Sequence, residues 1–174
     1  MNTSALVNSS LRFVLLLLVQ VFIFNQVAWG WGQGDLLFVF VYPLFVAMLP
    51  LRLPRPAVIL LGFLLGLSVD FFSETIGLHA GALTLTAYLR PFILRLIQPR
   101  DGYNIKANPS IYDMGGGWMF RYLALLLLAH LVMFFLLQTF SIYFLSDIVL
   151  KTVFSLPASL VVTFAIVLIF NPKA

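Results

Sequence analysis

Long apolar runs separated by short polar links divide the chain into segments that each approach the length of a membrane-spanning helix. Such a helix needs about 20 mostly apolar residues. The runs cover residues 11–28, 34–49, 57–72, 78–97, 118–139 and 148–170, and a longer polar loop covers residues 98–117. The pattern predicts an all-α membrane protein, a six-transmembrane-helix bundle, in which residues 1–174 form a single integral membrane domain.

Prolines, glycines and one arginine modify this pattern. Pro43 lies in the middle of the second segment, where its missing backbone donor predicts a kinked helix. Arg90, in the fourth segment, is expected to extend its charge along the helix toward the membrane interface. The glycine triplet 115–117 lacks the lysine and hydroxyl residue of a phosphate-binding loop, so it predicts a flexible return into the membrane.

The first segment allows two interpretations. Its short basic start and the small residues near its end resemble a signal peptide with a cleavage site. The length of the apolar run favours an uncleaved span, as do Trp29 and Trp31, a residue type that is enriched at membrane interfaces. Gln20 and Asn25, within the run, are expected to form hydrogen bonds with neighbouring helices.

The amino-acid composition indicates a membrane protein and excludes any function that requires cysteine. The chain is 62% hydrophobic and 9% charged, whereas a soluble domain is about 45–50% apolar and about 25% charged. Cysteine is absent, which excludes disulfides, thiolate catalysis and cysteine-ligated metals. The formal charge of +4 does not indicate a nucleic-acid partner, because the basic residues are scattered near segment ends.

Basic residues are distributed asymmetrically about the predicted segments, and this asymmetry governs membrane orientation. With the N-terminus in the cytoplasm, Lys151 is the only one of ten Lys and Arg residues on the outer side. The others lie at or toward the inner side: Arg12, Arg52, Arg55, Arg90, Arg95, Arg100, Lys106, Arg121 and Lys173. The sequence therefore predicts a multi-pass membrane protein with cytoplasmic N- and C-termini.

A polar pair flanks the short turn at residues 73–77, which this orientation places on the outer face. Gly62, Gly66 and Asp70 recur every four residues and share one helical stripe, where a neighbouring backbone can approach closely. An acid within an apolar segment is expected to face protein rather than lipid. Asp70 and His79 either line an outward-facing pocket or form a hairpin clamp, with Asp70 bonding N–H groups at the next helix start; both roles can coexist.

The remaining polar residues do not form a catalytic set. His130 stands alone at mid-segment and is interpreted as a neutral, hydrogen-bonded packing residue. The serines lack a G-x-S-x-G motif, and two histidines with few acids do not suggest a metal site. We therefore expect no enzyme activity, no catalytic residue, no metal and no cofactor.

The hairpin sequence resembles that of a known family, the MreD rod shape-determining membrane proteins of bacteria. The resemblance rests on Gly62-x-x-x-Gly66-x-x-x-Asp70, followed by Ile76-Gly77-Leu78-His79-Ala80 and a small-residue segment that reaches Tyr88. The loop resembles the version found in the Bacteroidetes lineage, at Gly102-Tyr103, Pro109-Ser110-Ile111-Tyr112 and Gly116-Gly117-Trp118. The specific match covers about residues 60–120, and the rest agrees in hydropathy.

The resemblance implies a non-enzymatic scaffold of the cell-elongation machinery that lies in the bacterial inner membrane and supports peptidoglycan synthesis and rod shape. The expected direct partner is MreC, with RodA, a class B transpeptidase and MreB in the same complex. The implied fold is similar to the S-components of energy-coupling-factor transporters, a bundle with an outward-opening pocket. Asp70, Gly77, Leu78 and His79 match the family motif and are the expected pocket residues, while Gly62 and Gly66 pack helices.

Two other functions are compatible with parts of the sequence. A transporter subunit similar to an S-component would use the same pocket for a small solute, but the small-residue face at Ala80, Thr84 and Ala87 is weak. An enzyme acting on a lipid-linked substrate lacks an acid–base pair beyond Asp70 and His79. Membrane lipid is an expected contact in every case, and nucleic acid in none.

Overall fold

A computed structural model describes residues 3–26, 28–29, 35–100, 102–103, 108–140 and 142–170. Its α-helices are α1 (Thr3–Phe22), α2 (Pro43–Met48), α3 (Arg55–Ser73), α4 (Leu78–Leu96), α5 (Ile111–Met114), α6 (Gly116–Thr139) and α7 (Leu145–Ile169). Strand β1 (Ala28–Trp29) pairs antiparallel with strand β2 (Leu37–Phe38), and 3-10 turns occupy Phe24–Gln26 and Ile142–Phe144. Trp31, Lys106 and Lys173, which the sequence analysis used, lie outside the described residues.

The protein is mostly helical, and its longest helices are those of a membrane protein. Helices α3, α6 and α7 are long and apolar enough to cross a bilayer. Large apolar side chains such as Phe71 and Val161 are exposed on them, at 82% and 69%, as expected for surfaces that contact lipid. Within the described residues, the apolar part of α1 covers only Ser9–Phe22, which is shorter than a full membrane span. Helix α4 carries two arginines, Arg90 and Arg95. The count of six spans therefore stays a prediction.

The long helices α3, α4, α6 and α7 each pack against the next one in the sequence. Helix α3 packs along α4, α4 packs along α6, and α6 packs along α7. Helix α1 lies against α3, and the short α2 contacts α6 and α4 from the interior. The core thus surrounds residues 39–49, which are all buried.

The prediction of a kinked helix over 34–49 is wrong. Residues 35–42 contain no helix; the chain runs through β2 and enters the bundle, and only Pro43–Met48 is helical. Pro43 lies in the first turn of α2 and does not kink a helix. The first N–H groups of a helix have no partner within the helix, so a proline there removes no hydrogen bond. An apolar run without charges is equally compatible with a buried helix and a buried extended segment.

Side chains from two distant helices satisfy the extended backbone. Gln20 of α1 accepts a hydrogen bond from the N–H of Val41 at 2.8 Å and donates to the carbonyl of Val39 at 3.2 Å. Ser155 and Ser159 of α7 accept from the N–H groups of residues 38 and 40, at 3.0 and 2.9 Å. Non-helical backbone is tolerated at membrane depth only when it is buried and satisfied in this way.

The glycine stripe of α3 permits the close approach that the sequence predicted. A Cβ atom placed on Gly66 would lie 2.6 Å from both the Cα atom of Ala80 and the carbonyl oxygen of His79. A Cβ atom on Gly62 would lie 3.2 Å from the Cβ of Ala87 and 3.4 Å from the carbonyl oxygen of Leu83, which are much looser contacts. Gly66 is therefore the position at which the backbone of α4 crosses α3 most closely.

Other segment boundaries differ from the predictions in informative ways. The first helix ends at Phe22 instead of continuing to residue 28, and a 3-10 turn and β1 follow it. The predicted loop at 98–117 contains the short α5, and the last two glycines of the triplet form the first turn of α6. Gly115, at φ +82°, makes the break between the two helices. The predicted flexible return is thus confined to Gly115.

Single cysteines would test the predicted orientation of the hairpin. Ile76→Cys lies in a fully exposed position of the turn, and Gln98→Cys lies in an exposed position just beyond the other end of α4. We expect an impermeant maleimide to label the first thiol in intact cells and the second only after permeabilisation. The parent chain has no cysteine and supplies an unlabelled control. The opposite labelling pattern would reverse the topology.

Candidate functional site

The turn between α3 and α4 is built around a buried carboxylate. Asp70 is 3% exposed, and its Oδ1 and Oδ2 atoms accept hydrogen bonds from the N–H groups of His79 and Ala80, each at 2.9 Å. The Thr75 hydroxyl donates to Oδ1 at 2.7 Å. The first N–H groups of a helix have no acceptor within the helix, and Asp70 supplies acceptors to two of these groups in α4. Asp70 thus forms the hairpin clamp that is one of its two predicted roles.

The same carboxylate fixes the ring of His79. The Nδ1 atom of His79 lies 3.0 Å from Oδ1 of Asp70, and the side chain is buried. An ionised carboxylate only accepts, so Nδ1 carries the hydrogen, and in the neutral form of the ring Nε2 is the acceptor. Within the described part of the chain, no hydrogen bond to Nε2 is found, and the ring packs against Phe40, Tyr42 and Phe134.

A pocket of about 460 Å³ opens beside this ring, at the hairpin-turn end of the bundle. We call it the turn pocket. Its walls come from α1, the extended segment, the turn and α6, and its polar lining comprises Gln20, Asn25, Ser73, Glu74, Thr75, His79 and Gln138. Its apolar lining includes Phe24, Phe40, Leu78 and Phe134. The pocket thus combines an aromatic floor with hydrogen-bonding groups.

The four predicted pocket residues take different positions. Leu78 and His79 line the turn pocket, whereas Asp70 is not among its lining residues and instead positions His79. Gly77, at φ +76°, is also absent from the lining; it caps the start of α4 and lies in a groove on the other side. The turn therefore needs glycine at 77 for its left-handed backbone.

Sequence reasoning missed the contribution of α1 to the pocket. Gln20 donates to Asn25 at 3.1 Å, and Asn25 donates to the hydroxyl of Ser73 at 2.5 Å. These amides join the end of the first helix to the end of α3. Amide side chains inside an apolar run are the available signal, but their position in the chain does not indicate which helix they reach.

His130 is a packing residue with both ring nitrogens occupied. Thr86 donates its hydroxyl hydrogen to the carbonyl of Ala82, so it must accept from Nδ1 of His130, at 3.0 Å. The Tyr42 hydroxyl then donates to Nε2 at 2.8 Å. This arrangement describes a neutral imidazole that has no free nitrogen for a ligand.

Arg90 does not extend toward the interface as expected. Its side chain is 3% exposed, and its Nε donates to the hydroxyl of Tyr122 at 2.9 Å. A second nitrogen donates to the carbonyl of Leu49, just beyond the end of α2. The guanidinium thus complements the negative end of this short buried helix.

A separate apolar groove of about 700 Å³ runs along the outside of α3 and α4. Phe63 and Leu67 of α3 and Ala80, Thr84 and Tyr88 of α4 line it. The groove has almost no polar lining and lies on the exposed apolar surface of these helices, so it is distinct in chemistry from the turn pocket.

These features define a helical membrane protein with a polar, aromatic-floored pocket at one end of the bundle. Comparison with protein-family models, with curated proteins and with solved structures gives no match. The assignment of function therefore rests on the residues and their geometry.

Proposed function

We propose that the chain is a non-enzymatic membrane scaffold whose turn pocket receives an extended segment of a partner protein. The observation that carries this proposal is the unpartnered Nε2 of His79, held by Asp70 in a pocket lined by amide and hydroxyl groups. A buried acceptor without a partner indicates a missing donor. A peptide N–H group is a donor of the required kind.

The chain already binds one extended segment by the same means. Gln20, Ser155 and Ser159 use side-chain oxygens to bind the backbone around residues 38–41. The turn pocket adjoins this segment and offers similar groups, namely Asn25, Thr75 and Gln138. An extended peptide presents N–H and C=O groups to such side chains and its own side chains to the aromatic floor.

The resemblance to the MreD family suggests the partner and its setting. In this proposal the segment belongs to MreC and follows its single membrane helix, and RodA, a class B transpeptidase and MreB belong to the same elongation complex. The protein would lie in the inner membrane with six spans and cytoplasmic termini, so that the turn pocket faces outward. A bundle similar to the S-components is compatible with a pocket at this end.

Filling the turn pocket is expected to abolish partner capture without unfolding the bundle. Gln138 is exposed and lines the pocket, so Gln138→Trp would place a large ring in the space for the peptide. Leu136→Trp, on the same helix but with its side chain outside the pocket, is the matched control. Co-purification of MreC from detergent extracts should fall at least about tenfold for the first variant, equivalent to about 1.4 kcal/mol. Unchanged capture by both variants would refute the pocket as the docking site.

A transporter subunit that binds a small solute remains the second candidate, because the volume of about 460 Å³ lies within the range of small-molecule pockets. Depletion of the protein separates the two functions. Rod-shaped cells that become round would support the scaffold, whereas retained rods with loss of uptake of a vitamin would support the transporter.

A further inference from the structure

Arg90 is a buried cation for which the described residues supply no acid. The ion pairs in this part of the chain are His79 with Asp70 and Lys151 with Asp147. Arg90 instead donates to a tyrosine hydroxyl and a backbone carbonyl. A guanidinium has five N–H groups, so donors remain free. A buried charge whose hydrogen-bond partners are all neutral is costly, and an anion within reach of the unused donors would offset that cost.

A cavity of about 270 Å³ lies between the start of α3 and the later part of α4, at the opposite end of the bundle from the turn pocket. Arg90 and Arg55 both line it, together with Leu53, Pro54 and Leu94. Arg55 is exposed and also lies over the ring of Phe92, 6.0 Å from the centroid. Two cationic side chains therefore share a small cavity whose other walls are largely apolar.

The start of α3 adds to the positive character of the same cavity. Pro54 precedes the helix in an extended conformation, without a side-chain cap, and no acid occurs in the first turn. Pro56 has no N–H, and the N–H groups of residues 57 and 58 bond the carbonyl of Pro54. The N–H of Arg55 has no partner within the described residues. The positive end of a 19-residue helix thus lies at residues that line the cavity, without a capping side chain or an acid in its first turn.

We propose that this cavity binds a phosphate group, supplied by the headgroup of an anionic membrane lipid. Guanidinium groups bind phosphate oxygens in a bidentate manner, and a helix start provides a further donor. Leu53 and Leu94 give the cavity an apolar side that suits the glycerol and acyl portions of a lipid. Inorganic phosphate carries the same anionic group as the lipid headgroup, but it has no apolar portion that could contact Leu53 and Leu94.

Lipid titration of the purified full-length protein tests the site. Native mass spectrometry in detergent would follow the one-lipid adduct with phosphatidylglycerol, with zwitterionic phosphatidylcholine and with inorganic phosphate alone. We expect phosphatidylglycerol to bind most tightly, and Arg55→Gln to weaken it about tenfold. Arg95→Gln removes the same charge from an exposed position at the same end, outside the cavity, and should weaken binding by no more than about twofold.

Each alternative result overturns the proposal. Equal losses in the two arginine variants would mean that general surface charge attracts the lipid. Equal binding of phosphatidylglycerol and phosphatidylcholine would remove the role of the anion. Binding of inorganic phosphate as tight as that of the lipid would assign the cavity to a free phosphate ion instead.

Discussion

Replacing Asp70 by leucine is expected to destabilise the α3–α4 hairpin by about 2–6 kcal/mol. The substitution leaves the N–H groups of His79 and Ala80 without the acceptors that they have at 2.9 Å. Each buried N–H that loses its partner costs about 1–3 kcal/mol. The ring of His79 is also released, so partner capture should fall, while membrane insertion of the apolar helix should persist.

Unfolding by sodium dodecyl sulfate, followed by tryptophan fluorescence, would measure this loss. Glu74→Gln is the control, because Glu74 is an exposed acid in the same turn and substitutions at such positions change stability by about 0.5 kcal/mol or less. Asp70→Asn should fall between the two, since it retains one acceptor oxygen. An Asp70→Leu protein as stable as the parent would show that solvent replaces the carboxylate.

The second large effect is expected from Gly66→Ala. The added methyl would lie 2.6 Å from two backbone atoms of α4, the Cα of Ala80 and the carbonyl oxygen of His79. Backbone atoms cannot move away from the added methyl by a change of rotamer, as side-chain atoms can. Helices α3 and α4 must therefore separate. Overpacking of this kind costs about 1–3 kcal/mol or more, and it displaces the two residues whose N–H groups Asp70 binds.

Gly62→Ala is the matched control for this substitution, one turn earlier in α3. Its methyl would meet the Cβ of Ala87 at 3.2 Å, which requires only a small adjustment. Alanine also favours a helix over glycine by about 1 kcal/mol, so the net change should lie within about 1 kcal/mol. The same unfolding assay ranks the two variants, and equal losses would disprove the close crossing at Gly66.

The α3–α4 hairpin could be predicted from the sequence because its signals are local. The spacing of Gly62, Gly66 and Asp70 defines one helical face, and residues 73–77 separate two apolar runs. The predicted segments 57–72 and 78–97 differ from α3 and α4 by no more than two residues at any end. The clamp role of Asp70, one of the two roles predicted for it, is visible in the sequence for the same reason, since its partners follow within ten residues.

The interior segment could not be predicted, because its determinants are distant. Phe38 and Phe40 find their hydrogen-bond partners 117 and 119 residues further along the chain. Residues 34–49 contain no alternation that would distinguish extended from helical backbone when every side is buried. The burial of Arg90 was missed similarly, since the carbonyl that it binds belongs to the end of this unpredicted segment.

The dependence of the interior segment on α7 constrains the order in which the protein assembles in the membrane. Residues 38–40 are synthesised long before Ser155 and Ser159, the partners of their N–H groups. Bare peptide groups are too costly to leave in hydrocarbon, at several kcal/mol each. We therefore expect the segment to stay at an aqueous or interfacial site until α7 has been inserted, and to enter the bundle only then.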